Sequence, residues 1–123
     1  TACQLDTKSE PDTTPATLEL LTPYAESIKT ITSDNGGEFA GHETIAEQLD
    51  LDYYFAHPYC SSERGTVENT NGIIRKYFPK NTNFLKTNPT ELKETIEKIN
   101  RRPRKTLNYR TPQYTYNQNA LAS

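Results

Sequence analysis

Apolar residues in this chain fall into short periodic runs separated by Pro, Gly and Asn. Asp12-Thr13-Thr14-Pro15 combines a hydroxyl cap with proline at the first helical position, and Leu18, Leu21 and Ala25 follow on one side. Together they predict a helix running to about Glu26. Before it, Ala2-Cys3-Gln4-Leu5 reads as a short strand or the end of one. Residues 28–33 (IKTITS) are β-branched and predict a strand that delivers the chain to Asp34. After the Asn35-Gly36-Gly37 turn, Ile45, Ala46 and Leu49 line the inner side of a helix over 42–50. Residues 52–56 (DYYFA) read as another strand, and 57–64 as a polar loop. Helix, strand, helix, strand predicts an α/β fold with parallel pairing.

The second half reads as helical. From Thr66, Val67, Ile73, Ile74, Tyr77 and Phe78 fill one broad side of a wheel, and Pro79 ends the helix. Glu68, Asn71, Gly72 and Arg75 share the opposite, polar side. Glu68 and Arg75 lie about 20° apart there, because seven residues make nearly two turns. Asn88-Pro89-Thr90-Glu91 reads as a capping box before a stripe of Leu92, Ile96 and Ile99. Arg102-Pro103 stops that helix. Thr111-Pro112 starts a last short one, followed by a polar tail.

Composition restricts what these elements can bury. Ten Leu, seven Ile, four Phe and one Val make only 22 strongly buried types in 123 residues, with eight Tyr as amphipathic supplement. A fully disordered chain would combine low hydrophobicity with high net charge, but the net charge is only -2. No apolar run approaches the roughly 20 residues of a membrane span, and there is no secretory apolar region. The chain contains no methionine, so the expectation is a piece of a longer protein, thin-cored for want of a neighbour.

The small net charge conceals a division. Residues 1–74 carry three basic against thirteen acidic groups, whereas 75–110 carry eleven basic against three acidic. A positive C-terminal third is the footprint of a face that meets phosphates, although a solvated basic helix and loop gives the same charge count. Cys3 and Cys60 lie far apart with no CxxC, and only two histidines are present, so zinc is not expected and reduced thiols are.

Two carboxylates stand out by position. Asp34 follows a strand and precedes a glycine-rich turn, where open α/β sheets hold their ligands. Glu68 lies near the start of an amphipathic helix, on its polar side. Each alone has an ordinary structural reading: Asp before Asn-Gly is a turn residue, and Glu in a first turn complements the helix dipole.

With their neighbours they form four ordered strings: ITSDNGGEFAGHE (31–43), YFAHPYCSSERGTVENTNGIIRKYFPK (54–80), INRRPRKTLNY (99–109) and RTP (110–112). In these the chain resembles the DDE insertion-sequence transposases, whose catalytic core is retroviral-integrase-like. Thirty-three residues separate Asp34 from Glu68, as in the second Asp and the Glu of that group. The resemblance implies a ribonuclease H-like α/β fold, a mixed sheet flanked by helices. Asp34 and Glu68 would be catalytic and would bind two divalent metal ions, magnesium or manganese, since such hard cations prefer carboxylate oxygens. Ions about 3.5–4 Å apart activate water or a 3'-hydroxyl for phosphodiester cleavage and strand transfer.

The same resemblance implies DNA contacts from Asn71, Gly72, Arg75 and Lys76, and from Arg101, Arg102, Arg104 and Lys105, where Pro103 keeps the cations splayed. The partners would be transposon ends and target DNA. The intact transposase would be a homo-oligomer, cytoplasmic and nucleoid-associated, with no membrane. The first catalytic Asp and the first two strands would precede Thr1, since Asp6 lies too close to Asp34 to replace that Asp. Cys60, Ser61 and Ser62 stand where the family has Ser, Ser and Trp, and Val67 where it has Asn. Residues 1–80 would be the partial core, 81–112 its basic helix and loop, and 113–123 a polar tail. A catalytically inactive remnant or regulatory DNA-binding fragment remains the alternative.

Overall fold

In the computed structural model, residues 1–58 and 65–122 are described, and they form two compact units, Cys3–Asn69 and Thr70–Ser123 with Thr1–Ala2. The first is α/β. Strand β1 (Thr30–Ser33) pairs with β2 (Asp52–Phe55) in parallel, with Ile31 opposite Tyr53 and Ser33 opposite Phe55. These four residues share the half-buried face, while Thr30, Thr32, Asp52 and Tyr54 are exposed on the other. The predicted strand at 2–5 does not form; β1 and β2 are the only strands among the described residues. A strand needs a hydrogen-bonded neighbour, and residues 2–5 have no strand partner among the described residues.

The covering layer is helical. α1 (Glu10–Leu21) packs on α2 (His42–Leu49), and α2 on β2. Ile45 of α2 is fully buried and Leu49 nearly so, joined by Ala56 after β2. α1 starts earlier than its sequence predicts. Ser9 is its N-cap and Pro11 occupies the first turn, which leaves Pro15 inside the helix without a donor for the Pro11 carbonyl. Two prolines each offer a permitted start, and the earlier one is used. Threonine hydroxyls then bond back along the helix, Thr13 to the Ser9 carbonyl at 2.7 Å and Thr17 to the Thr13 carbonyl at 2.8 Å. The helix stops at Leu21, and Thr22–Ser27 tightens into 3-10 turns.

Thr13 and Thr14 are buried where α1 meets the approach to α2. Gly41 makes this approach possible: a Cβ there would lie 2.2 Å from Thr14 Oγ1 and 2.6 Å from Glu10 Oε1. His42 opens α2, its Nδ1 3.1 Å from the Phe39 carbonyl oxygen and its ring edge-on to Phe55 at 4.8 Å between centroids.

The second unit is helical. α3 (Gly65–Tyr77) begins in the first unit, and the boundary between units falls after Asn69. Its expected apolar side is only partly covered, with Val67 and Tyr77 exposed, Ile73 and Ile74 half-buried, and Phe78, just past its end, the buried residue. Phe78 stacks at a tilt on Phe84, 5.8 Å between centroids. α4 (Pro89–Asn100) buries Leu92, Thr95 and Ile99, so Thr95 takes a core position that the aliphatic stripe assigned to Ile96. The Asn88 side chain caps it by accepting from the Thr90 N–H at 2.9 Å. α5 (Pro112–Ala122) extends through nearly all of the polar tail, and no residue of it is buried.

Candidate functional site

Asp34 sits immediately beyond the C-terminal end of β1, exposed, with its carbonyl accepting from Ser33 Oγ at 2.8 Å. Parallel pairing places the exits of β1 and β2 at the same edge of the sheet. Three side chains give this edge its electrostatics. Lys8, from the segment ahead of α1, pairs with Glu38 at 2.7 Å. The Lys8 ammonium donates to Glu38 and holds its carboxyl below the ordinary carboxylate value, aided by Glu38's own backbone N–H. Glu38 in turn raises the Lys8 pKa, and the Asp34 charge adds to that shift. Partial burial pushes the Tyr53 phenol up, opposed by a hydrogen bond with Ser33 and reinforced by the Asp34 charge. Glu38 folds back so closely over Gly36 that a Cβ there would meet its carboxylate at 2.4 Å. Lys8, Glu38 and Tyr53 were not among the residues singled out from sequence.

Glu68 lies exposed in the first turn of α3, within the same unit as Asp34. Arg75 and Lys76 occupy the last turn of that helix, so its charges also run with the helix dipole. Asn71 and Gly72 are exposed, and a Cβ added at Gly72 would meet nothing within 4 Å. Tyr59 to Arg64, including Cys60, Ser61 and Ser62, lie outside the described residues.

A two-ion site requires a cluster of carboxylates. Among the described residues no group of three His, Cys, Asp or Glu side chains is placed to hold a metal ion. Asp34 and Glu68 are hard-oxygen donors of the right kind, but the described residues do not complete such a site.

The basic cluster forms a closed loop. Arg101 caps α4 and lies 3.9 Å from Glu97. Arg104 is extended, but the chain then folds through a 3-10 turn at Lys105–Leu107 and returns. The Arg104 N–H donates to the Arg110 carbonyl at 3.0 Å, and the Arg104 carbonyl accepts from Leu107 and Tyr109 at 2.9 and 3.0 Å. Pro103 therefore extends the chain only locally. Asn108 and Tyr109 are both left-handed, at φ 52° and 60°. Tyr109 is 71% exposed. Arg110 lies over the Tyr114 ring, 5.7 Å from its centroid.

The described residues thus define a small parallel α/β unit with a carboxylate at a strand exit, and a helical unit with a basic, tyrosine-bearing loop. Among them no helix is long and apolar enough to cross a membrane. No family model matches the chain. It is, however, homologous to transposases of insertion sequence elements. It is 50% identical over 99 residues to the transposase for insertion sequence element IS4351 of Bacteroides fragilis, covering 77% of this chain and 30% of that protein. The probable transposase for insertion-like sequence element IS1161 of Streptococcus salivarius is 43% identical over 96 residues, 78% of this chain and 27% of the relative. Transposase InsI for insertion sequence element IS30A of Escherichia coli K12 is 42% identical over 88 residues, 72% of this chain and 23% of the relative. The chain thus spans less than a third of the length of these relatives.

Proposed function

We propose that this chain forms part of the catalytic core of a DNA transposase with a ribonuclease H-like fold, and that Asp34 and Glu68 are two of its catalytic, metal-binding carboxylates. The observation that carries this reading is identity of 42–50% to insertion-sequence transposases over roughly three quarters of the chain. The geometry supports it: Asp34 leaves β1 and the chain toward Glu68 leaves β2, at the same edge of two parallel strands. The carboxylates would hold magnesium or manganese. A third carboxylate would have to join them, since the described residues bring no such cluster together. Asn71, Gly72, Arg75 and Lys76 on α3, and Arg101, Arg102, Arg104 and Lys105, would position transposon ends and target DNA through the phosphate backbone. The complete transposase would work as a homo-oligomer at the cytoplasmic nucleoid.

The test replaces the matching segment of the Bacteroides fragilis transposase with this chain and follows strand cleavage at transposon ends. The unsubstituted chimera should cleave, whereas Asp34→Asn and Glu68→Gln should each lower cleavage by at least about a hundredfold while DNA binding stays within about twofold. Cleavage retained by either variant would remove that residue from the site. A second reading, a DNA-binding piece that does no chemistry, is favoured by the absence of a three-carboxylate cluster among the described residues. It expects a chimera that binds DNA and does not cleave it.

A further inference from the structure

The basic loop carries a feature that phosphate contact does not account for. Between Arg101 and the end of the chain there are five cations and no carboxylate, so the loop is suited to DNA backbone on charge alone. Within it, however, stands Tyr109, 71% exposed and at φ 60°. Glycine is the residue that occupies such a left-handed position without steric cost, so a turn selected only for its shape has no use for tyrosine there. The backbone that carries the ring is held in place. The loop is closed at its base by the Arg104–Arg110 bond, and the Tyr109 N–H is itself tied to the Arg104 carbonyl at 3.0 Å. Arg110, the next residue, has its guanidinium held over Tyr114, whose ring is also half exposed.

An exposed aromatic face among clustered cations is the combination that binds single-stranded nucleic acid, with bases stacked on the ring and phosphates on the flanking charges. Bases inside a duplex are already stacked and offer no free face to such a ring. We propose that the Arg104–Arg110 loop is a stacking site for an unpaired DNA base, with Tyr109 as the platform and Arg104, Lys105 and Arg110 on the adjoining phosphates. This rests on the DNA-binding part of the function proposed above and adds the strand state recognised: DNA that is unpaired where the loop meets it.

The test measures binding of the whole chain to three probes: a short oligothymidine strand, an abasic strand of the same length, and a duplex. Tyr109→Gly is the informative variant, because it removes the ring at a position where glycine relieves the backbone and the fold is kept. It should bind oligothymidine about tenfold more weakly than the parent, with abasic-strand and duplex binding unchanged and the unfolding midpoint equal or higher. Tyr109→Phe should bind like the parent. Unchanged oligothymidine binding by Tyr109→Gly, or an equal loss on all three probes, would overturn the stacking site and leave the DNA-binding reading standing. Failure of the parent chain to bind any probe would overturn both.

Discussion

At the scale of single residues, the most distinctive arrangement is the Lys8–Glu38 pair beside Asp34. Since the folded Glu38 pKa lies below its unfolded value, its contribution to stability is present above the unfolded value and is lost as pH falls through the folded one. Lys8→Ala removes the main cause, so the Glu38 carboxyl, followed by NMR titration, should move up toward 4.5; an unmoved titration would show that the pair does not persist in solution. Gly41 makes a sharper prediction. A methyl group there collides with Thr14 Oγ1, and Gly41→Ala should cost about 1–3 kcal/mol in urea unfolding. These contacts were hidden in the sequence for a simple reason. Lys8 lies in an irregular segment without periodicity, and nothing local says that it folds back to residues 26 and 30 positions further on. The Asn108-Tyr109 turn was equally silent, because two consecutive left-handed residues without glycine leave no turn signature.

Elements were legible in proportion to the agreement of their local signals. α2, β1, β2 and α4 each joined a clear periodicity to a turn or cap, and each formed within about two residues of its expected span. α1 was misplaced because two prolines competed for its start. Pro15→Ala restores an N–H facing the Pro11 carbonyl, and should raise stability by about 1–2 kcal/mol in thermal unfolding; a loss instead would mean that Pro15 packs better than a helical alanine. On α3, Gly72→Ala gains helix propensity of about 1 kcal/mol in open space. If DNA backbone comes close to this face, the same variant should bind DNA more weakly despite being more stable, and unchanged binding would remove Gly72 from the contact surface.

At the scale of the whole molecule, the division of charge organises the account. The carboxylates of the candidate site belong to an acidic stretch, 1–74, and the basic groups are concentrated in 75–110. The charge pattern, the strand exit at Asp34 and the helical position of Glu68 were all readable along the chain, because they depend on local order. A complete metal site was not, since its ligands must converge from distant segments, and the described residues gather no three of them. Both functional readings depend on the basic third being the face that meets DNA. The direct measurement is the salt dependence of duplex binding by this chain and by a variant with Arg101, Arg102, Arg104 and Lys105 changed to alanine. The account predicts a steep fall of log affinity with log salt in the parent, and a slope shallower by about 3 in the variant. Equal slopes in the two proteins would contradict it.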